Sequence, residues 1–182
     1  MELAILLPIA AFIALAAGLA VVLRGTGRIV ARTRELERFK SGVRDLAARV
    51  DASLAGAAVQ IDAVRRRQID PGEINETLAA ATDAVERYTE EARTLRGPTK
   101  AEAIQADLVS ELERAGRALE MVDHGAAILM TSHGPRELEA QTSIKRGYLN
   151  LVHAREAIAR HALEVAELEA DKRTRTSRWR RA

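Results

Sequence analysis

Along most of this chain apolar residues recur at alternating steps of four and three, the spacing of helices that bury one face. Ile74, Leu78, Ala81, Val85, Tyr88, Ala92 and Leu95 keep the alternation without a miss. A second stripe runs through Leu36, Phe39, Val43, Leu46, Val50, Leu54, Ala57, Ile61 and Val64, and a third through Leu108, Leu112, Ala115, Leu119, Val122, Ala126 and Leu129. The last is looser: Leu138, Ile144, Tyr148, Leu151, Ile158, Ala162, Val165 and Leu168, with Arg155 interrupting the line.

Three turn signals separate the stripes. Asp70-Pro71-Gly72-Glu73 supplies an N-cap, a proline at the first helical position and a carboxylate three residues after the cap. Thr99 and Glu102 follow Gly97-Pro98 at capping-box spacing, and Gly134-Pro135 with Glu137 marks a third start. The pattern predicts helices over 27–69, 73–95, 100–132 and 136–172, with loops short enough to make neighbours antiparallel. Four such stripes close a coiled-coil-like bundle. Gly42, Gly56, Gly116, Gly125 and Gly147 fall inside these helices, where each costs about 1 kcal/mol against Ala. Close helix contact is the expected reason, with an early end of the third helix as the alternative at Gly125.

One stretch escapes the alternation. From Leu3 to Leu23 no side chain is charged or strongly polar, and at ~1.5 Å rise per residue this run crosses the ~30 Å hydrocarbon layer. A core helix seldom stays apolar on every face for so long. A secretory signal would carry a basic region before the run, where only Met1 and Glu2 stand. The run is therefore read as a retained transmembrane helix, with Pro8 near its outer end, where a weakened hydrogen bond costs least. Arg24, Arg28, Arg32 and Arg34 follow at once, and the positive-inside bias puts the carboxyl side in the cytoplasm and the N-terminus outside. The expected organisation is all-α: a single N-terminal transmembrane anchor over 1–23, an antiparallel four-helix cytoplasmic bundle over 24–172 and a basic tail over 173–182.

Composition agrees with helices. The 47% hydrophobic fraction rests on Ala, Leu, Val and Ile, with 3% aromatics. With no cysteine, disulfides, thiolate nucleophiles and Cys-based metal sites are excluded. Arg outnumbers Lys 24 to 4, a bias read as codon usage rather than phosphate recognition. The net charge of +2 conceals a polarity: residues 24–40 hold six basic and two acidic groups, and 172–182 hold six basic groups and no acid. The body between them is acidic, a poor platform for nucleic acid. Lys172, Arg173, Arg175, Arg178, Trp179, Arg180 and Arg181 suit an anionic lipid surface, where each cation gains about 1 kcal/mol and Trp favours the interface. Helix lengths end the fourth helix about 24 Å from the bilayer, within the ~33 Å reach of ten extended residues. A solvated tail is the alternative.

Candidate chemistry is sparse. The chain holds no nucleotide loop, nucleophile elbow, kinase motif set or HExxH. His153 and His161 share a helix face, with Glu156 and Glu164 beside them, yet the paired Glu-x-x-His pattern of di-iron bundles is missing. His124 stands alone, and Gly134-Pro135 breaks the helix after His133. Glu113 with Arg117, and Glu86 and Glu90 flanking Arg87, sit at surface spacings. Ile128, Leu129 and Met130 cannot all face one seam, so one is expected at the surface as a patch for a partner helix. The sequence thus predicts a membrane-anchored interaction or scaffold protein without catalytic residues, cofactor or metal, with a second copy, through the transmembrane helix or the first-helix seam, as one candidate partner. A small-ligand or signalling bundle, using metal or phosphoryl chemistry at the fourth-helix histidines, is the alternative. A pocket lined by Tyr148, Arg155 and a carboxylate would favour the alternative; a filled core would favour the scaffold.

Overall fold

The computed structural model describes the backbone of residues 2–131, 134 and 136–168, and within them the side chains from residue 33 onward except Lys100. Four helices carry the chain: α1 (Glu2–Arg65), α2 (Asn75–Thr94), α3 (Glu102–Thr131) and α4 (Glu137–Glu167). Short 3-10 turns, Pro71–Ile74 and Thr99–Ala101, lead into α2 and α3. No strand occurs among the described residues. The chain divides into two compact units, Met1–Arg38 and Phe39–Ala182. The first is helical from Glu2 as the leading part of α1. Among the described residues no helix is long and apolar enough to cross a membrane. The side chains of the Leu3–Leu23 run and of Arg24, Arg28 and Arg32 lie outside the described residues, as does the whole tail from residue 169, with Lys172 to Arg181.

The second unit is a four-helix bundle built on the predicted stripes. Val43, Leu46, Val50, Leu54 and Ile61 of α1 are fully buried, together with Ile74, Leu108, Leu112, Leu119, Leu151 and Ile158 from the rest of the chain. Each such side chain contributes about 1.5–3 kcal/mol by leaving water. Cross-helix bonds fix the order of neighbours: Ser53 with Tyr88 at 2.9 Å and Thr77 to Gln60 at 2.7 Å join α1 to α2, and Arg155 to Asp51 at 2.6 Å joins α4 to α1. The first-helix seam is consumed inside this bundle, so from Phe39 to Val64 it is not free to pair with a second copy.

Helix ends follow local chemistry. α1 stops at Arg65 rather than running on to residue 69, because Arg67 turns into the left-handed region at φ 58°. The Gln68 amide then donates to the Ala63 carbonyl at 2.8 Å and the Arg67 amide to Val64 at 2.9 Å, the two bonds of a Schellman C-cap. Asp70 forms the predicted capping box: its carboxylate accepts from the Gly72 amide at 2.8 Å, and Glu73 accepts from the Asp70 amide at 3.1 Å. The box at Thr99 does not form; Thr99 lies inside the 3-10 turn and Pro98 takes the cap position without a side-chain bond. Gln105 reaches back from α3 to the last carbonyls of α2, Ala92 at 2.9 Å and Arg93 at 3.0 Å, supplying donors that a helix end lacks.

The fourth seam is shifted from the one expected. Leu138 is 75% exposed, whereas Ala140, Ile144, Gly147, Leu151, Ala154 and Ile158 are buried at steps of four and three. Small residues carry half of that line, and a reading weighted toward large apolar side chains passes over them. Two of the helix glycines, Gly125 and Gly147, explain themselves here by close approach of α3 and α4. A Cβ on Gly125 would lie 2.8 Å from the Ala140 carbonyl oxygen, and α3 continues past it to Thr131. Gly42 also sits close to a neighbour, the flexible Leu95 side chain. Gly116 would make only an ordinary contact with Val85, and nothing lies within 4 Å of a Cβ on Gly56, so close contact does not account for those two.

Candidate functional site

Where α1 ends and α4 begins, the bundle opens into a cleft of about 620 Å³. Its floor is apolar, from Val64, Ile69, Leu129 and Ile144; its rim carries Arg65, Arg67, Gln68, Asp70, Glu73 and Glu137. The rim charges are largely occupied. Arg67 pairs with Glu137, Arg65 donates to Asp62 at 2.8 Å through Nε, and Asp70 and Glu73 are held by their capping box. The Arg65 hydrogen bond, with Arg66 adding its charge, holds the Asp62 carboxyl below its ordinary range. Of the predicted partner patch, Ile128 is buried, Leu129 lines the cleft, and Met130 is 43% exposed above Gly72. One of the three residues therefore stands at the surface, as their succession requires.

A second, polar cleft of about 300 Å³ lies between α3 and α4, among Asp107, Glu111, Arg160, His161 and Glu164. His161 Nδ1 stands 3.0 Å from Glu164 Oε2. Glu111 Oε2 takes no hydrogen bond, with Arg114 at 3.5 Å. Among the described residues no group of three or more His, Asp or Glu is placed to hold a metal. His124 and His153 are exposed; His133 lies outside the described residues.

Tyr148 and Arg155 do not line a pocket together. The Arg65 guanidinium covers the Tyr148 ring at 5.3 Å, and Arg155 is spent on Asp51, its Nε buried without a partner. Tyr88 is treated likewise: Arg49 lies 5.4 Å from its centroid and bonds Glu91, which raises the Arg49 pKa. Glu113 engages Arg93 across the α2–α3 contact rather than Arg117 within its own helix. These groups tie helices to one another.

Sequence reasoning passed over the outer face shared by α1 and α4. Val59, Leu149 and Leu163 are exposed there, and Leu149 and Leu163 lie off the fourth seam two heptads apart, which is the signal that marks them. Arg34 is exposed in the first unit. Compared with protein-family models, with curated proteins and with solved structures, the chain matches none of them.

Proposed function

We propose that this protein is a membrane-anchored interaction module: an N-terminal transmembrane helix over Leu3–Leu23, and a cytoplasmic four-helix bundle that offers its outer faces to partners. The observation that carries the reading is how the bundle spends its polar groups. The core is filled by aliphatic side chains, and the two candidates for an inward-facing constellation, Tyr148 and Arg155, are engaged by Arg65 and Asp51. Large apolar side chains stand in solvent instead, at Val59, Met130, Leu138, Leu149 and Leu163, where partner surfaces are found.

Support for the anchor comes from the uncharged run itself and from the arginines at 24, 28, 32 and 34 that follow it. Lys172 to Arg181, with Trp179, supply a second contact for anionic headgroups. Alkaline carbonate extraction of native membranes tests the anchor: the chain is expected to stay in the pellet, with a C-terminal tag shielded from protease added outside intact cells. Release into the carbonate wash, or a tag digested from outside, overturns it.

A further inference from the structure

Charge is spread unevenly over the bundle. The opening stretch of α3, Glu102–Glu113, carries four carboxylates and no base. Farther on, Glu120 stands a heptad after Glu113, while on α2 Asp83 and Glu90, and beside them Glu86 and Arg93, are also a heptad apart. Arg93 bonds Glu90 in its own helix and reaches Glu113 of α3 at 2.8 Å, so the two sets adjoin on one outer face. Asp83, Glu86, Glu90, Glu113 and Glu120 are all exposed there, against Arg93 and, at the outer edge of α2, Arg87. Among the described residues no ion pair engages Asp83, Glu86 or Glu120.

The chain leaves the bundle beside this face. Arg160, His161 and Glu164 near the end of α4 share a cleft with Asp107 and Glu111 near the start of α3, so Leu168 is level with the opening of the acidic stretch. The residues that follow, 169–182, hold Lys172, Arg173, Arg175, Arg178, Arg180 and Arg181, with no acid after Asp171. Extended, they reach about 46 Å. Glu120 lies only about 27 Å along α3 from Glu102, and passing over α3 adds about 12 Å.

We propose that the basic tail, Lys172 to Arg181, docks on the α2/α3 face of its own chain. Blocks of like charge serve as interaction segments, and this one meets a surplus of carboxylates within its reach. Tethering supplies an effective concentration of about millimolar, so the tail outcompetes a free basic peptide of the same charge for these weak, exposed contacts. The docking does not rest on the membrane anchor. A seated tail cannot meet anionic headgroups at the same time, so the acidic face competes for the lipid contact proposed above.

Trp179 is the only tryptophan and the chain has no cysteine, so full-length protein in uncharged detergent carries one fluorescent donor and accepts one dye. The dye goes on Ala79→Cys, exposed a heptad before Glu86 on the same side of α2. Sensitised dye emission from Trp179 is expected at low salt and should fall about twofold or more at 1 M salt, where the screening length is about 3 Å. The paired variant Glu86→Gln/Glu120→Gln, at exposed positions, should keep its helical circular dichroism and lose the transfer at low salt by a similar factor. An excess of unlabelled Trp179→Phe chain should change nothing. Transfer that ignores salt or the paired substitution overturns the proposal. So does transfer lost to the Trp179→Phe chains, which puts the tail on another copy, or absent transfer from a wild-type chain that binds a separate arginine-rich peptide through Glu86 and Glu120.

Discussion

Gly147 of α4 stands so close to Ala118 of α3 that a Cβ on the glycine would lie 2.7 Å from the Ala118 carbonyl oxygen. The relation is reciprocated one helical stretch away, where Gly125 of α3 meets Ala140 of α4. Between them the Ser143 hydroxyl donates to the Met121 carbonyl at 2.8 Å. The backbones touch here with little side chain between, and the helix propensity lost at each glycine is the cost of that approach.

Gly147→Ala should therefore destabilise the bundle. Overpacking against backbone costs about 1–3 kcal/mol, and the gain in helix propensity returns about 1 kcal/mol, for a net loss of up to about 2 kcal/mol. Gly116→Ala should do the opposite and gain up to about 1 kcal/mol, since its Cβ would meet Val85 at an ordinary 3.7 Å. Denaturant unfolding of both variants decides it; equal effects at the two sites would contradict the contact.

Arg67 occupies a position that glycine normally takes. Its φ of 58° costs about 1 kcal/mol relative to glycine, and its ion pair with Glu137 is exposed enough to return less than that. Arg67→Gly should raise stability by up to about 1 kcal/mol in thermal or denaturant unfolding. A loss on substitution would mean that the ion pair outweighs the backbone.

The burial of the first-helix stripe is tested at Leu54, which has no exposed surface. Leu54→Ala should cost about 2–5 kcal/mol at every protein concentration used. A cost that grows with concentration would place Leu54 at an interface between copies instead.

Asp62 makes stability depend on pH. Its folded pKa is lowered, first by the Arg65 hydrogen bond, so its contribution is fully present above the unfolded carboxyl value and is lost as pH falls through the folded one. Asp62→Asn should melt below wild type at pH 7, and the gap should close as the solution is made acid. A gap that persists below pH 2 would assign the effect to something other than the carboxylate charge.

Much of this architecture is legible in the sequence because helix period, capping chemistry and punctuation are local. The seams of α1, α2 and α3 and the Asp70 capping box follow from residue spacing alone, and they appear where spacing puts them. The positive φ at Arg67 has no sequence signature, since nothing but the packing of the following turn forces an arginine there. Likewise the α4 seam runs through Ala140, Gly147 and Ala154, residues whose burial is decided by how closely α3 comes, not by their own hydrophobicity. The same holds for Tyr148, Arg155 and Glu113. Their partners Arg65, Asp51 and Arg93 lie on other helices, and only the closing of the bundle determines which charges meet and which apolar side chains are left outside.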